Sequence, residues 1–329
     1  MTDYKGIQGF AIQNLTSDPT ADEGQVWYNS TTNIFKETAA TTAGAWASAT
    51  AMNTTKAGLG SCGTQTAALA FGGDAGPAVT GATEEYNGST WTNNPTGLNT
   101  ARQGLAGAGT QTAALGFGNS SPVSGVTEEY DGSTWTASPP GLNTARGSLA
   151  GAGTQTAALA FGGYAPAPTG YTGATEEYDG STWTTSPGSL NTARYNIAGC
   201  GTQTAALGFG GYNAPPIGRT GSTEEYNGST WTANPTGLNT ARSGLGSCGT
   251  QTAALAFGGN TGSPTGATEL YDGSTWTSNP TGLNTAREGG GSAGTQTEGL
   301  AFGGTPPITA ATEEWTGAGA LVTKTITTS

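Results

Sequence analysis

The sequence predicts an all-β fold: a six-bladed β-propeller of four-stranded blades, preceded by an N-terminal extension containing a β-hairpin. Three observations carry that reading. A unit returns six times, with Gly-Thr-Gln-Thr beginning at Gly63, Gly109, Gly153, Gly201, Gly249 and Gly294, at separations of 46, 44, 48, 48 and 45 residues. Each unit divides into four short segments of strand character. No segment sustains the 3.6-residue period of a helix. Four strands per unit of this length is the arithmetic of a propeller blade.

Residues 1–45 stand outside the repeat and are expected to form an attachment segment. Within them, Gly24-Gln25-Val26-Trp27-Tyr28-Asn29-Ser30-Thr31-Thr32-Asn33-Ile34-Phe35-Lys36 predicts a hairpin, with apolar residues flanking a polar turn. A lone hairpin is marginal in water, so it is expected to pack on the repeat domain or on another protein.

The repeat begins at Trp46, which lies 17 residues before Gly63 as Trp91 lies 18 before Gly109. Lys56 takes the place, seven residues before Gly63, that Arg102 takes before Gly109. The first copy is therefore diverged but in register. A full unit has a short apolar run such as Ala157–Phe161, bounded by glycine and suited to a buried strand. Thr175-Glu176-Glu177-Tyr178-Asp179-Gly180-Ser181-Thr182-Trp183 predicts a hairpin, with the Asp-Gly or Asn-Gly pair in a type I′ turn. The Gly/Ala segment after each arginine, such as Ser148 to Ala152, has little side-chain volume and fits a crowded innermost strand.

Six Thr-Glu strands start at Thr83, Thr127, Thr175, Thr223, Thr268 and Thr312, and the last has no Trp strand after it. Trp46 to Thr50 is the economical candidate to complete that blade and remove a sheet edge. Ala320 to Ile326 competes for the place. The domains are thus residues 1–45, a propeller over 46–316, and 317–329 as a tail or edge strand.

Composition limits the function. Charged residues are 10% of the chain, against about 25% in ordinary domains. The net charge is -12 with ten Lys+Arg, so no large basic surface exists and nucleic-acid binding is not expected. No run of 18 apolar residues is present, so membrane insertion is not expected. The first residues lack the basic and apolar regions of a secretory signal. Three cysteines do not make a disulfide framework. The chain has no histidine, which removes Ser-His-Asp and Cys-His nucleophile systems and histidine-ligated zinc. The expectation is a protein that is not an enzyme and takes no cofactor or metal.

The repeated residues read as structural. Arg102, Arg146, Arg194, Arg242 and Arg287 are half of the positive charge. Each is expected to bond carbonyls or a Glu and fix the start of an inner strand, because a buried arginine without partners is costly. Trp91, Trp135, Trp183, Trp231 and Trp276 are expected to pack between blades. The paired acids, such as Glu176-Glu177, face opposite sides of a strand and make no carboxylate dyad. One of each pair is expected to answer an arginine or a backbone donor, and the other to face water. Cys62, Cys200 and Cys248 alternate with alanine between units, which marks a small buried site. What varies is the loop between the second and third strands. Tyr164, Tyr171, Tyr212 and Arg219 are the groups there best suited to recognition.

Gly162-Gly163, Glu177-Tyr178-Asp179, Trp183 and Arg194 resemble the kelch repeat, over about residues 46–316. The resemblance implies a kelch-like propeller; Gly118-Asn119, Leu270 and Trp315 depart from its pattern. The histidine-ligated copper of the kelch-like galactose oxidases has no counterpart here. The near-identical repeats and the Gly24 to Lys36 segment also resemble virion structural proteins of tailed phages, particularly those of marine bacteria. That resemblance implies a tail, fibre or capsid-surface component in multiple copies, assembled in the host cytoplasm. Residues 1–45 would hold other virion proteins, and the loops would face a host surface glycan or protein. The alternatives are a purely structural virion subunit mediating protein–protein assembly, and a glycan-active enzyme.

Overall fold

The computed structural model describes residues 13–16, 26–40, 43–168, 170–215, 218–319 and 321–325, and these contain strands but no helix. Much of the expected attachment segment, including Gly24 and Gln25, lies outside the described residues, as do Ala320 and Ile326. The chain divides into two compact units, Met1–Gly44 with Gly317–Ser329, and Ala45–Thr316.

The larger unit is a propeller of six four-stranded antiparallel blades. Blade one holds Gly60–Thr64, Ala67–Phe71, Thr83–Tyr86 and Trp91–Asn94, from the axis outward. Blades two to five repeat this order, starting from Ala106–Thr110, Ala150–Thr154, Ala198–Gly201 and Gly246–Gly249. Blade six is built from both ends of the unit. Gly291–Gly294, Glu298–Phe302 and Thr312–Thr316 are completed by Ala45–Ala49, with Trp46 paired opposite Trp315. Leu321–Thr325 pairs instead with Ile34–Ala40, at the edge of the N-terminal sheet.

The inner strands touch their neighbours in a closed circle, and their small residues are what permits it. A Cβ on Gly107 would stand 2.4 Å from the Ser61 carbonyl oxygen. Just before each inner strand, one residue per blade has a positive φ: Gly58, Gly104, Ser148, Asn196, Gly244 and Gly289, at 49 to 62°. Each of these donates its N–H to the carbonyl of the one before it, at 2.7–2.8 Å, and Gly58 donates to Gly289 to close the ring. Six peptide groups that would otherwise need water at the axis are thus satisfied by one another.

The outer hairpins form, but not with the expected turn. Tyr178 pairs with Trp183, leaving the four-residue loop Asp179 to Thr182. The Asp179 carboxylate accepts the Ser181 and Thr182 amides at 2.9 and 2.7 Å, and Gly180 alone takes a positive φ. The short acidic side chain stands in for backbone turn bonds, which a two-residue type I′ turn does not require. These turns pack beside the Gly-Thr-Gln-Thr turns, with Gly88 against Thr66. The loops between second and third strands therefore share the opposite end with the links that carry each arginine; this end is the loop face.

The smaller unit is one sheet in the order Gln13–Leu15, Val26–Asn29, Ile34–Ala40, Leu321–Thr325. Its central hairpin turns at Asn29, whose side chain accepts the Thr31 and Thr32 amides at 3.1 and 3.0 Å. Trp27 is buried, while Val26 and Phe35 are exposed.

Candidate functional site

The repeated motifs assemble into interfaces between blades. Each tryptophan of an outer strand donates its indole N–H to a threonine hydroxyl in the third strand of the preceding blade: Trp135 to Thr83, Trp183 to Thr127, Trp231 to Thr175, Trp276 to Thr223, Trp46 to Thr268 and Trp91 to Thr312, all at 2.9–3.0 Å. Each ring also lies 4.7–4.9 Å from a phenylalanine of that blade. The glutamine of Gly-Thr-Gln-Thr clamps the same neighbour. Gln155 donates to the Ala114 and Tyr130 carbonyls at 3.0 and 2.6 Å, and five equivalents do likewise.

The arginines hold the third strand. Arg102, Arg146, Arg194, Arg242 and Arg287 pair with Glu128, Glu176, Glu224, Glu269 and Glu313, and Lys56 with Glu84, at 2.5–3.2 Å with both partners buried. Arg146 also donates to the Ala174 and Ala160 carbonyls. The Glu176 carboxylate takes further bonds from the Asn143 and Thr144 amides at 2.7 and 3.1 Å. Leu-Asn-Thr-Ala-Arg is therefore a carboxylate-binding link between blades. Burial pushes the Arg102 and Arg146 guanidinium groups down to about 10, with the partner glutamate opposing it, so both stay cationic at neutral pH.

The second acid of each pair does not simply face water. Glu85, Glu129, Glu177, Glu225 and Glu314 are half-buried. They accept a phenol hydroxyl from the following blade: Tyr130, Tyr178, Tyr226, Tyr271 and Tyr86 in turn. The sixth interface has Leu270 for the acid and Trp315 for the tyrosine. Leu270 packs against the apolar cluster that contains Trp315, and the Trp315 indole turns to the Gln296 carbonyl at 2.9 Å. The two departures from the repeat are one compensated exchange.

The cysteines are buried, and burial pushes the Cys62 and Cys200 thiols up to about 12. They carry no thiolate chemistry at neutral pH. Among the described residues, no group of three or more acidic or cysteine side chains is placed to hold a metal ion.

What remains lies on the loop face of blades three and four. Tyr164 pairs with Tyr171 across a short two-stranded hairpin, and Tyr212 bridges Arg219. The four groups singled out in the sequence come together, joined by a fifth. Tyr195 bridges Tyr212 through the backbone. Its ring stacks on Tyr171 at 5.2 Å and 10°, with Tyr164 and Tyr212 centred at 6.3 and 5.6 Å. The Arg219 guanidinium stands 5.8 Å over the Tyr212 ring. Burial, then the neighbouring Tyr171 and Tyr212, push the Tyr195 phenol up, so it stays a hydrogen-bond donor at neutral pH.

Tyr195 was legible in principle. It occupies the position directly after the arginine, where other units carry Ala57, Gln103, Gly147, Ser243 and Glu288. That site varies as freely as the loops it touches. Next to it, on the axis, is an open cavity of about 340 Å³ whose lining includes Asp74, Gln103, Ser120, Ser148 and Asn196. Farther along the axis a space of about 160 Å³ is lined by Ser61, Gly107, Gly151, Gly199, Ser247 and Ser292. No protein-family model and no curated protein matches the chain.

Proposed function

We propose that this chain is a non-enzymatic surface protein of a phage particle, a tail, fibre or capsid-decoration component whose kelch-like propeller presents its loop face to a host receptor. The observation that carries the binding role is the tyrosine cluster with Arg219. Aromatic rings with polar tips and a cation form recognition surfaces, and Tyr164 is 42% exposed although the propeller's other aromatic side chains are mostly buried between blades. The absence of histidine from the sequence supports a binding rather than a catalytic role. The exposed Val26 and Phe35 support attachment of the smaller unit to another virion protein. The virion assignment itself rests on the resemblance of the repeats and of the Gly24 to Lys36 segment.

Particles provide the test. Deleting residues 1–45 is expected to keep the protein off the particle. Particles lacking the protein are expected to adsorb poorly to the host. Normal adsorption without it would leave a purely structural subunit as the reading, and turnover of a glycan by the pure protein would overturn the non-enzymatic one.

A further inference from the structure

We propose that the loop face of blades three and four, together with the adjoining axial cavity, binds a carboxylated saccharide; this rests on the reading that the loop face binds a receptor. Four observations converge on that chemistry.

The first is a spare cation. The propeller's other cations, Lys56 and the five repeated arginines, are each committed to a buried glutamate. Arg219 is outside that set; it is half-buried, with its guanidinium over the Tyr212 ring. A guanidinium presents a planar fork that matches a carboxylate with two parallel bonds. Asn213, beside Tyr212, is 4% exposed and its amide oxygen lacks a partner; as an acceptor it suits a sugar hydroxyl rather than the carboxylate.

The second is local charge. The chain as a whole is acidic, but residues 164–174, 186–198 and 212–222 contain no Asp or Glu. Asp74 and Glu288 stand on the corresponding segments of blades one and six. Blades two and five are equally free of acids on this face, so Arg219 is what makes blade four the most favourable place for an anion; Asp74 lines the axial cavity, which leaves the cavity to an uncharged part of the ligand.

The third is the aromatic array. Four tyrosines offer apolar ring surface for the C–H face of a pyranose and phenol groups for its hydroxyls.

The fourth is backbone strain in the same two blades. Of the six axial positions with positive φ, four are glycine. The other two are Ser148 and Asn196, at 53 and 49°. A left-handed conformation is unfavourable for residues with a Cβ, and such positions cluster where a side chain is needed for function. Ser148 follows Gly147, which bridges Tyr164, and Asn196 follows Tyr195. Both line the axial cavity, whose volume of about 340 Å³ falls within the roughly 300–1,000 Å³ of small-molecule sites. A hydroxyl and an amide at its wall suit a neighbouring sugar residue of the same chain.

The test is calorimetric titration of the full-length protein with 3′-sialyllactose against lactose, and trigalacturonate against galactotriose. At least one acidic sugar is expected to bind roughly tenfold or more tightly than its neutral counterpart, the scale of a charge-assisted pair. Arg219→Gln is expected to bring that preference to within about twofold, and Tyr195→Ala to abolish binding at an unchanged melting temperature. Asn196→Gly is expected to weaken binding while raising the melting temperature, a combination that a purely structural asparagine would not produce. Equal binding of acidic and neutral sugars would overturn the carboxylate assignment and leave a saccharide surface. Binding of none of the four, while Tyr195→Ala particles still lose adsorption, would overturn the saccharide and leave the receptor-binding reading intact.

Discussion

The six-fold repeat is broken in two kinds of place, and the two breaks behave differently. At the interface of blades five and six, Leu270 and Trp315 replace an acid and a tyrosine. The lost hydrogen bond is replaced by apolar contact and a bond to Gln296. On the loop face of blades three and four, Tyr164, Tyr171, Tyr195, Tyr212 and Arg219 replace smaller residues, and the exchange leaves groups over. Arg219 is not among the cations paired to a buried glutamate, the Asn213 amide oxygen lacks a partner, Tyr164 is exposed, and two residues hold positive φ where glycine serves elsewhere. A departure that repairs itself records the packing rule; one that leaves unsatisfied groups has the character of a binding surface. Variation alone does not distinguish a working loop from drift.

The strongest way to sharpen this contrast is to break the repeated interior. Glu176→Ala would strand Arg146 and the Asn143 and Thr144 amides. Removing one partner of a buried pair costs about 3–5 kcal/mol, so urea denaturation should show a loss on that scale. A change below about 1 kcal/mol would mean that the link motif is not what joins the blades.

The compensated interface should show coupling. Trp315→Tyr would place a phenol opposite Leu270 with no acceptor, a loss of about 1–3 kcal/mol. Leu270→Glu alone would bury a carboxylate without its donor. The double variant rebuilds the pair found at the other five interfaces and should recover part of both losses, measured as a coupling energy of about 0.5–3 kcal/mol in a double-mutant cycle. Strict additivity would mean that the two exchanges are unrelated.

The axial strain should act in the opposite direction. Asn196→Gly removes a Cβ from a left-handed position, worth at most about 1–2 kcal/mol and less for asparagine, which enters that region more readily than other residues with a Cβ. Greater freedom of the unfolded chain offsets roughly 0.4–1 kcal/mol of that. A net gain of up to about 1 kcal/mol in chemical denaturation is expected, whereas Gly244→Asn at the equivalent place should destabilise.

The smallest effect concerns the turns on the far end. Turn amides and hydroxyls hold the Asp131 and Asp179 carboxyls down at about 2, below their ordinary 3.8. A depressed folded-state value contributes stability above the ordinary one, and that contribution is lost as pH falls from about 4 through 2. Blades one and four carry Asn87 and Asn227 at the same turn and are indifferent to it. Replacing Asp131, Asp179 and Asp272 with Asn should flatten this part of the acid limb of a melting-temperature profile.

How much of this was legible follows from the physics of each feature. The six blades were readable because the period is nearly exact and each motif recurs with its spacing. The tryptophans and arginines declared themselves by recurrence, but their partners did not. That Gln155 reaches the Ala114 carbonyl, or that Tyr178 reaches Glu129 of the preceding blade, depends on how blades stack, which no single unit encodes. The turn was misread because Asp-Gly was taken as the whole loop, whereas the Asp179 side chain spans four residues. Tyr195 is hard to see in the sequence because it directly follows a constant arginine, outside the loop whose length and content vary. The axial ring was invisible because its bonds are backbone to backbone, and only Ser148 and Asn196, among glycines, hinted at it.

The central claim is that recognition is concentrated on the loop face of blades three and four. Its most direct test is the adsorption rate of particles carrying Tyr164→Ala with Tyr195→Ala, compared with particles carrying Ser243→Ala with Glu288→Ala on blades five and six, at matched incorporation and melting temperature. The first pair is expected to lose adsorption about tenfold or more, on the scale of a binding hot spot, and the second to leave it unchanged. Equal adsorption by both, or equal loss by both, would contradict the claim.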